Sequence, residues 1–277
     1  MFDISITRLH EVTVLIYALS VLLYFFDFLH NNKKAKQFAF WFLTIVWVLQ
    51  TIFLFLYMYE AGRFPVLTIF EGLYFYVWVL VTLSLYINKL KETDFTVFFT
   101  NVLGFIVMAV HTFAPVQASS QVVAQQIISE LLFIHILLAF VAYGAFTISF
   151  VFSILYLLQY HLLKKKKWGK RLIRLGNLSK LEHWSYLLNV IGVPLLICAL
   201  VLGLLWAHWK LPEVSWFDMK IIGSFIVLFS YSLYIFVKVR KQVFGKNLAY
   251  INIASFLIVF INFFLFGSLS NFHYWYT

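Results

Sequence analysis

Long runs of Leu, Phe, Ile and Val are separated by short polar breaks along the chain, and the runs show no strand-like alternation of apolar and polar positions. A hydrocarbon layer of about 30 Å is crossed by about 20 mostly apolar helical residues. Eight segments meet that length: 9–29, 38–59, 66–88, 95–113, 130–160, 186–209, 218–237 and 248–267. Backbone groups that face lipid must be hydrogen-bonded within their own segment, so continuous apolar runs select helices over a barrel. The pattern predicts an all-α, polytopic integral membrane protein: a single domain over residues 1–277, built as a bundle of eight transmembrane helices. The first run has no basic stretch before it and no small-residue cleavage pattern, and seven more runs follow it. It reads as a retained span rather than a signal peptide.

Composition agrees with this class. The 277 residues are 63% hydrophobic, 21% aromatic and only 12% charged, against about 25% charged in soluble domains. A water-soluble globule is excluded, and so is a disordered chain, because this much apolar surface must be buried. The net charge of +10 takes its meaning from where the basic residues stand. Seventeen of the 21 Lys and Arg fall in the breaks after spans 1, 3, 5 and 7 (33–36, 89–91, 164–180 and 238–246), leaving Arg8, Arg63, Lys210 and Lys220 on the other side. By the positive-inside rule these breaks are cytoplasmic and both termini face outward. The basic excess is thus a topology signal, and no nucleic-acid partner is expected from it. The richest loop, KKKKWGKRLIRLG within residues 161–183, suits attraction to the anionic headgroups of the lipid bilayer. A docking site for a cytosolic protein or RNA is the lesser alternative.

Candidate chemistry is confined to a few polar groups. Cys198 is the only cysteine, which rules out an internal disulfide, a C-x-x-C redox pair and a C-x-x-C-H haem attachment site. Phosphate-binding loops, zinc-protease and serine-hydrolase motifs are also missing. Of eight histidines, His10, His111, His135, His208 and His273 fall at or near predicted outer helix ends, where ionisable residues are costly and usually functional. His135 shares a helical face with Ala139, Ala142 and Phe146. That face leaves room for a planar ligand, or equally for close helix packing. His273 stands in an aromatic terminus whose rings suit the membrane interface; the imidazole is not explained that way. Two neutral imidazoles from His135 and His273 on either side of an iron porphyrin would give bis-histidine axial ligation. In the outer loop between spans 2 and 3, Arg63 is placed to pair with Glu71. Between spans 6 and 7, Trp206 to Lys220 forms an aromatic ledge with His208 and Asp218.

Several of these segments resemble the haem-handling cytochrome c assembly family, the group containing the CcsA, CcmC and ResC proteins, and within it the HemX-type branch. Gly62-Arg-Phe-Pro with Glu71 is similar to the family's loop before its third span. The segment Ile134-His-Ile-Leu-Leu-Ala-Phe resembles that carrying the first external haem-ligand histidine, and Gly267-Ser-Leu-Ser-Asn-Phe-His resembles that carrying the second. The resemblance thus implies His135 and His273 as iron ligands. The family's tryptophan-rich outer motif is only partly kept, through Trp206, Trp216, Asp218 and Lys220, and a membrane-embedded family histidine aligns with Phe236.

The resemblance implies a bacterial cytoplasmic-membrane protein that binds non-covalent, b-type haem. Trp206 and Trp216 would form a platform, and Arg63 or Lys220 would pair with a propionate. The branch implies a link to haem biosynthesis through the level of glutamyl-tRNA reductase, with residues 161–183 as the surface for that cytosolic partner. Haem delivery, export or ligation in cytochrome c maturation is the competing expectation, weakened by the altered tryptophan motif and by Phe236. An unrelated small-molecule transporter is a third. The balance of features is against an enzyme.

Overall fold

The computed structural model describes residues 2–64, 68–88, 94–113, 130–166, 177–210 and 216–269. The elements among these residues are eight α-helices: α1 Phe2–His30, α2 Lys33–Ala61, α3 Ile69–Ile87, α4 Asp94–Phe113, α5 Glu130–Lys164, α6 Leu178–Lys210, α7 Met219–Val239 and α8 Gly245–Ser268. Seven of them contain a stretch long and apolar enough to cross a membrane, and α3 is a shorter apolar helix over Glu71–Ile87. Several helices outrun the apolar stretches that predicted them. The 35 residues of α5 correspond to about 52 Å at about 1.5 Å per residue, well beyond the hydrocarbon layer. Hydropathy marks where lipid ends, whereas capping decides where a helix ends. At α2, Asn32 accepts hydrogen bonds from the Lys34 and Ala35 amides, and Gly62 closes the helix in the left-handed region at φ 64°.

The described residues fall into two compact units, Met1–Ser120 and Gln121–Thr277. In the first unit, α1 packs on α2 and α4, and α3 packs on α4 and α2. Tyr17, Leu43, Val46, Leu80 and Met108 are fully buried in its core. Polar side chains lace the helices together. The Tyr17 hydroxyl donates to Asn101 Oδ1 at 3.1 Å, and Asn101 Nδ2 donates to Ser84 Oγ. Trp47 donates to Thr82 while Trp78 donates to Thr51, a reciprocal pair joining α2 and α3. Gly104 lets α4 approach α1, since a Cβ there would overlap the Tyr17 phenol oxygen.

In the second unit, α5 and α6 share the largest contact, and α8 packs on α7 and α5. Phe146 stacks on Tyr231 at 3.8 Å and occupies space that a side chain on Gly192 would take. Asn252 Nδ2 lies within hydrogen-bonding distance of Ser149, Ser153 and Ser185, and its Oδ1 accepts from Asn189. Such a network supplies directional contacts between helices where lipid removes the hydrophobic driving force. Large apolar side chains such as Leu15, Phe55 and Phe229 face outward, as a lipid-facing surface requires.

Candidate functional site

His135 lies near the start of α5, and its ring meets α6. Nδ1 is 2.6 Å from the carbonyl oxygen of Ala199. A carbonyl only accepts, so Nδ1 carries the ring proton, and in the neutral imidazole Nε2 holds the lone pair. This contact needs glycine beside it. A Cβ on Gly203 would stand 2.7 Å from both Cε1 and Nδ1 of His135. Ala199, Gly203 and Trp206 follow one another at helical spacing and therefore share the face of α6 turned to α5. The small-residue face of α5 is itself filled by packing, with Ala142 and Phe146 buried. Close packing thus takes up Ala142 and Phe146 of that stripe.

Other nominated residues of the second unit lie on α6 and α7. Trp206 is buried, while Trp216 is 59% exposed. Trp216 borders an apolar groove of about 410 Å³ lined also by Leu204, Ile221, Ile222, Phe225 and Phe229. Asp218 is the N-cap of α7: its Oδ1 accepts from the Lys220 amide at 2.8 Å. Helix capping thus gives a structural task to a carboxylate that the sequence nominated for cofactor binding. Lys220 is buried, and its Nζ donates to the Asn262 carbonyl at 2.8 Å while lying 5.5 Å from the Phe263 ring centre. The structure therefore places Trp206 on the face of α6 that meets His135, and Lys220 on α7 of the same unit. His273 lies outside the described residues, as does most of the basic loop within 161–183. Phe236 is exposed near the end of α7, 5.5 Å from the Arg240 guanidinium.

Arg63 belongs to a separate arrangement in the first unit. Its two terminal nitrogens donate to Glu71 at 3.0 and 2.7 Å, and the Tyr57 hydroxyl donates to the same carboxylate. The side chains of Arg63 and Glu71 are 6% and 9% exposed. Hydrogen bonding to Glu71 and its charge together raise the Arg63 pKa above the usual guanidinium value, against the opposing effect of desolvation. Glu71 is not a full turn and a half into a span, as the apolar run from residue 66 suggests. The helix begins at Ile69, with Thr68 as N-cap, and Glu71 completes a capping box by accepting from the Thr68 amide. Its place in the first turn is what lets Arg63 reach it.

The remaining histidines expected at outer helix ends separate. His208 is exposed at the end of α6. His10 and His111 meet within the first unit, with ring centres 4.9 Å apart. Sequence reasoning noted both but had no signal that residues 101 positions apart would touch. It also missed Gly203 and the Ala199 carbonyl, because a backbone acceptor leaves no mark on side-chain identity.

Comparison with known proteins agrees with this architecture. The family described as Cytochrome C assembly protein matches residues 66–273. Protein HemX of Bacillus subtilis (strain 168) is 56% identical over 274 residues, 99% of each chain. Protein HemX of Brevibacillus brevis is 41% identical, covering 96% of this chain and 97% of that one. Cytochrome c biogenesis protein CcsA of Cyanophora paradoxa is 24% identical over 91% of both chains.

Proposed function

The chain belongs to the cytochrome c assembly family, with HemX-type proteins among its relatives, and from that premise we propose that it binds haem within the bacterial cytoplasmic membrane. The observation that carries this reading is the tautomer of His135. An Nδ1–H bond to a backbone carbonyl is the usual way in which a protein orients a metal-ligating imidazole and makes its other nitrogen more basic. Here the Ala199 carbonyl has that role, and Nε2 is left as the donor for iron. His273 supplies the second axial ligand in this reading, with non-covalent haem at the outer face and both chain termini on that side.

Lys220 is the better of the two cations for a propionate. Arg63 is already held by both carboxylate oxygens of Glu71, whereas the Lys220 ammonium rests on a neutral carbonyl in the unit that also holds His135. Trp206 contributes aromatic surface next to His135, and Trp216 does so at the outer groove. Bound haem would supply an iron centre with two imidazole ligands; the chain's own residues orient it and shield it from water.

In this reading the chain has a role in haem biosynthesis, as the HemX-type resemblance implies, acting on the level of glutamyl-tRNA reductase through residues 161–183. The CcsA relative favours a second reading, delivery of haem for cytochrome c maturation. Phe236, where a membrane-embedded histidine would otherwise receive haem, counts against it. The test is an absorption spectrum of protein purified from haem-replete membranes, with His135→Ala and His273→Ala beside it. A Soret band that is lost or shifted in both variants is expected; none in the wild type, or one unchanged in both variants, would defeat the reading. Disrupting the gene separates the two roles. An altered reductase level with intact c-type cytochromes is expected, and loss of those cytochromes with unchanged reductase would support delivery instead.

A further inference from the structure

The first unit contains a second cluster of histidine chemistry that the proposed haem site does not use. His10 of α1, His111 of α4 and Tyr74 of α3 form a triangle of rings, with centres separated by 4.9, 5.3 and 5.8 Å. Phe53 of α2 covers one side, 5.7 Å from His10 and 4.6 Å from Tyr74. Each of the three rings carries one buried polar atom with no hydrogen-bond partner: Nδ1 of His10, Nδ1 of His111 and the Tyr74 hydroxyl. Buried polar groups are nearly always satisfied, so three orphans in one triangle mark a place for an occupant.

The tautomer of His10 is set by its neighbours. The Thr112 hydroxyl donates its proton to the Met108 carbonyl at 2.8 Å. At 3.1 Å from His10 Nε2, that hydroxyl oxygen can only accept, so Nε2 carries the proton and Nδ1 holds a lone pair. His111 stands in the last turn of α4, where the unpaired carbonyl groups favour a cation.

We propose that His10, His111 and Tyr74 form a binding site for a divalent late first-row transition-metal ion such as zinc or copper, with the two Nδ1 atoms and the Tyr74 oxygen as ligands. Imidazole nitrogen suits these ions. Metal–nitrogen bonds of about 2.0–2.1 Å, with about 1.1 Å more to the ring centre, put each imidazole centre about 3.2 Å from a shared ion. A centre-to-centre distance of 4.9 Å then corresponds to a nitrogen–metal–nitrogen angle of about 100°, close to tetrahedral. Histidines on opposite sides of a haem iron would hold their rings about 6.4 Å apart by the same reckoning, so this pair is too close to flank a porphyrin. On binding, the Tyr74 phenol releases its proton to water, and the phenolate offsets one of the ion's two charges. An open fourth position remains for water or another donor.

The experiment uses the full chain in detergent, stripped of metal and then titrated with zinc, with bound metal counted by elemental analysis and stability followed by thermal unfolding. One zinc per chain is expected, with a rise in melting temperature that magnesium does not reproduce. His10→Ala and His111→Ala should each weaken binding at least tenfold, Tyr74→Phe less so, and His135→Ala should leave it unchanged. Absence of a zinc-dependent rise in the wild type would overturn the proposal without recourse to any variant. So would full zinc binding by the His10→Ala/His111→Ala double variant; the three polar atoms would then be bridged by an internal water.

Discussion

His135 in the second unit and His10 in the first are prepared in opposite senses. A backbone carbonyl fixes the proton of His135 on Nδ1 and leaves Nε2 as the donor, whereas a threonine hydroxyl fixes the proton of His10 on Nε2 and leaves Nδ1. The surroundings differ accordingly. His135 is half-buried with a glycine-lined helix behind it, and His10 leans on a second imidazole and a tyrosine. A single projecting donor suits an iron that brings its own macrocycle and needs only axial ligands. Clustered donors suit a bare ion that needs its whole coordination shell from the protein. Histidine content alone would treat the two places as equivalent.

The largest break in this contrast is expected from Gly203→Leu. The new side chain would enter the space of the His135 ring and separate Nδ1 from the Ala199 carbonyl. Overpacking together with the lost hydrogen bond should cost about 2–4 kcal/mol, read by thermal unfolding in detergent. Haem content should fall with it while zinc binding in the first unit persists. A variant that keeps full haem content would show that the α6 contact does not orient the ligand.

Glu71→Ala acts on the other unit. It strips the acceptor from Arg63 and from Tyr57 and removes half of the α3 capping box. Leaving these groups unmatched should cost about 1–3 kcal/mol. Because Glu71 lies one turn before Tyr74, zinc affinity should drop as well, with the Soret band unaltered. Loss of haem instead would mean that the clamp serves the haem site.

The smallest effect is expected from Tyr74→Phe without metal. The hydroxyl it removes has no hydrogen-bond partner, so stability should change by less than about 1 kcal/mol, and toward greater stability if at all. With zinc present the same substitution should become destabilising relative to wild type. A substantial loss of stability in metal-free protein would reveal a structural role for the phenol.

The helices were legible in the sequence because lipid imposes a length and an apolar surface on each span, and both are properties of contiguous residues. The Arg63–Glu71 pair was legible for a related reason, since eight positions and one turn connect its members. The exact start of α3 was not, because Thr68 and Glu71 cap the helix inside a run that hydropathy treats as uniform. Contacts between helices within each unit were hidden more deeply. His10 meets His111 where α1 packs on α4, and His135 finds its acceptor in a main-chain atom. Of the residues nominated for haem binding, His135 has its Nδ1 on a backbone carbonyl, and Arg63 is held by Glu71.

The most direct test of the central claim is the ligand-field spectrum of ferric haem in His135→Gly, recorded by near-infrared magnetic circular dichroism with and without added imidazole. Loss of the bis-imidazole signature in the variant and its return with free imidazole is the predicted result. The same signature persisting in His135→Gly without imidazole would contradict the assignment of Nε2 of His135 as an iron ligand.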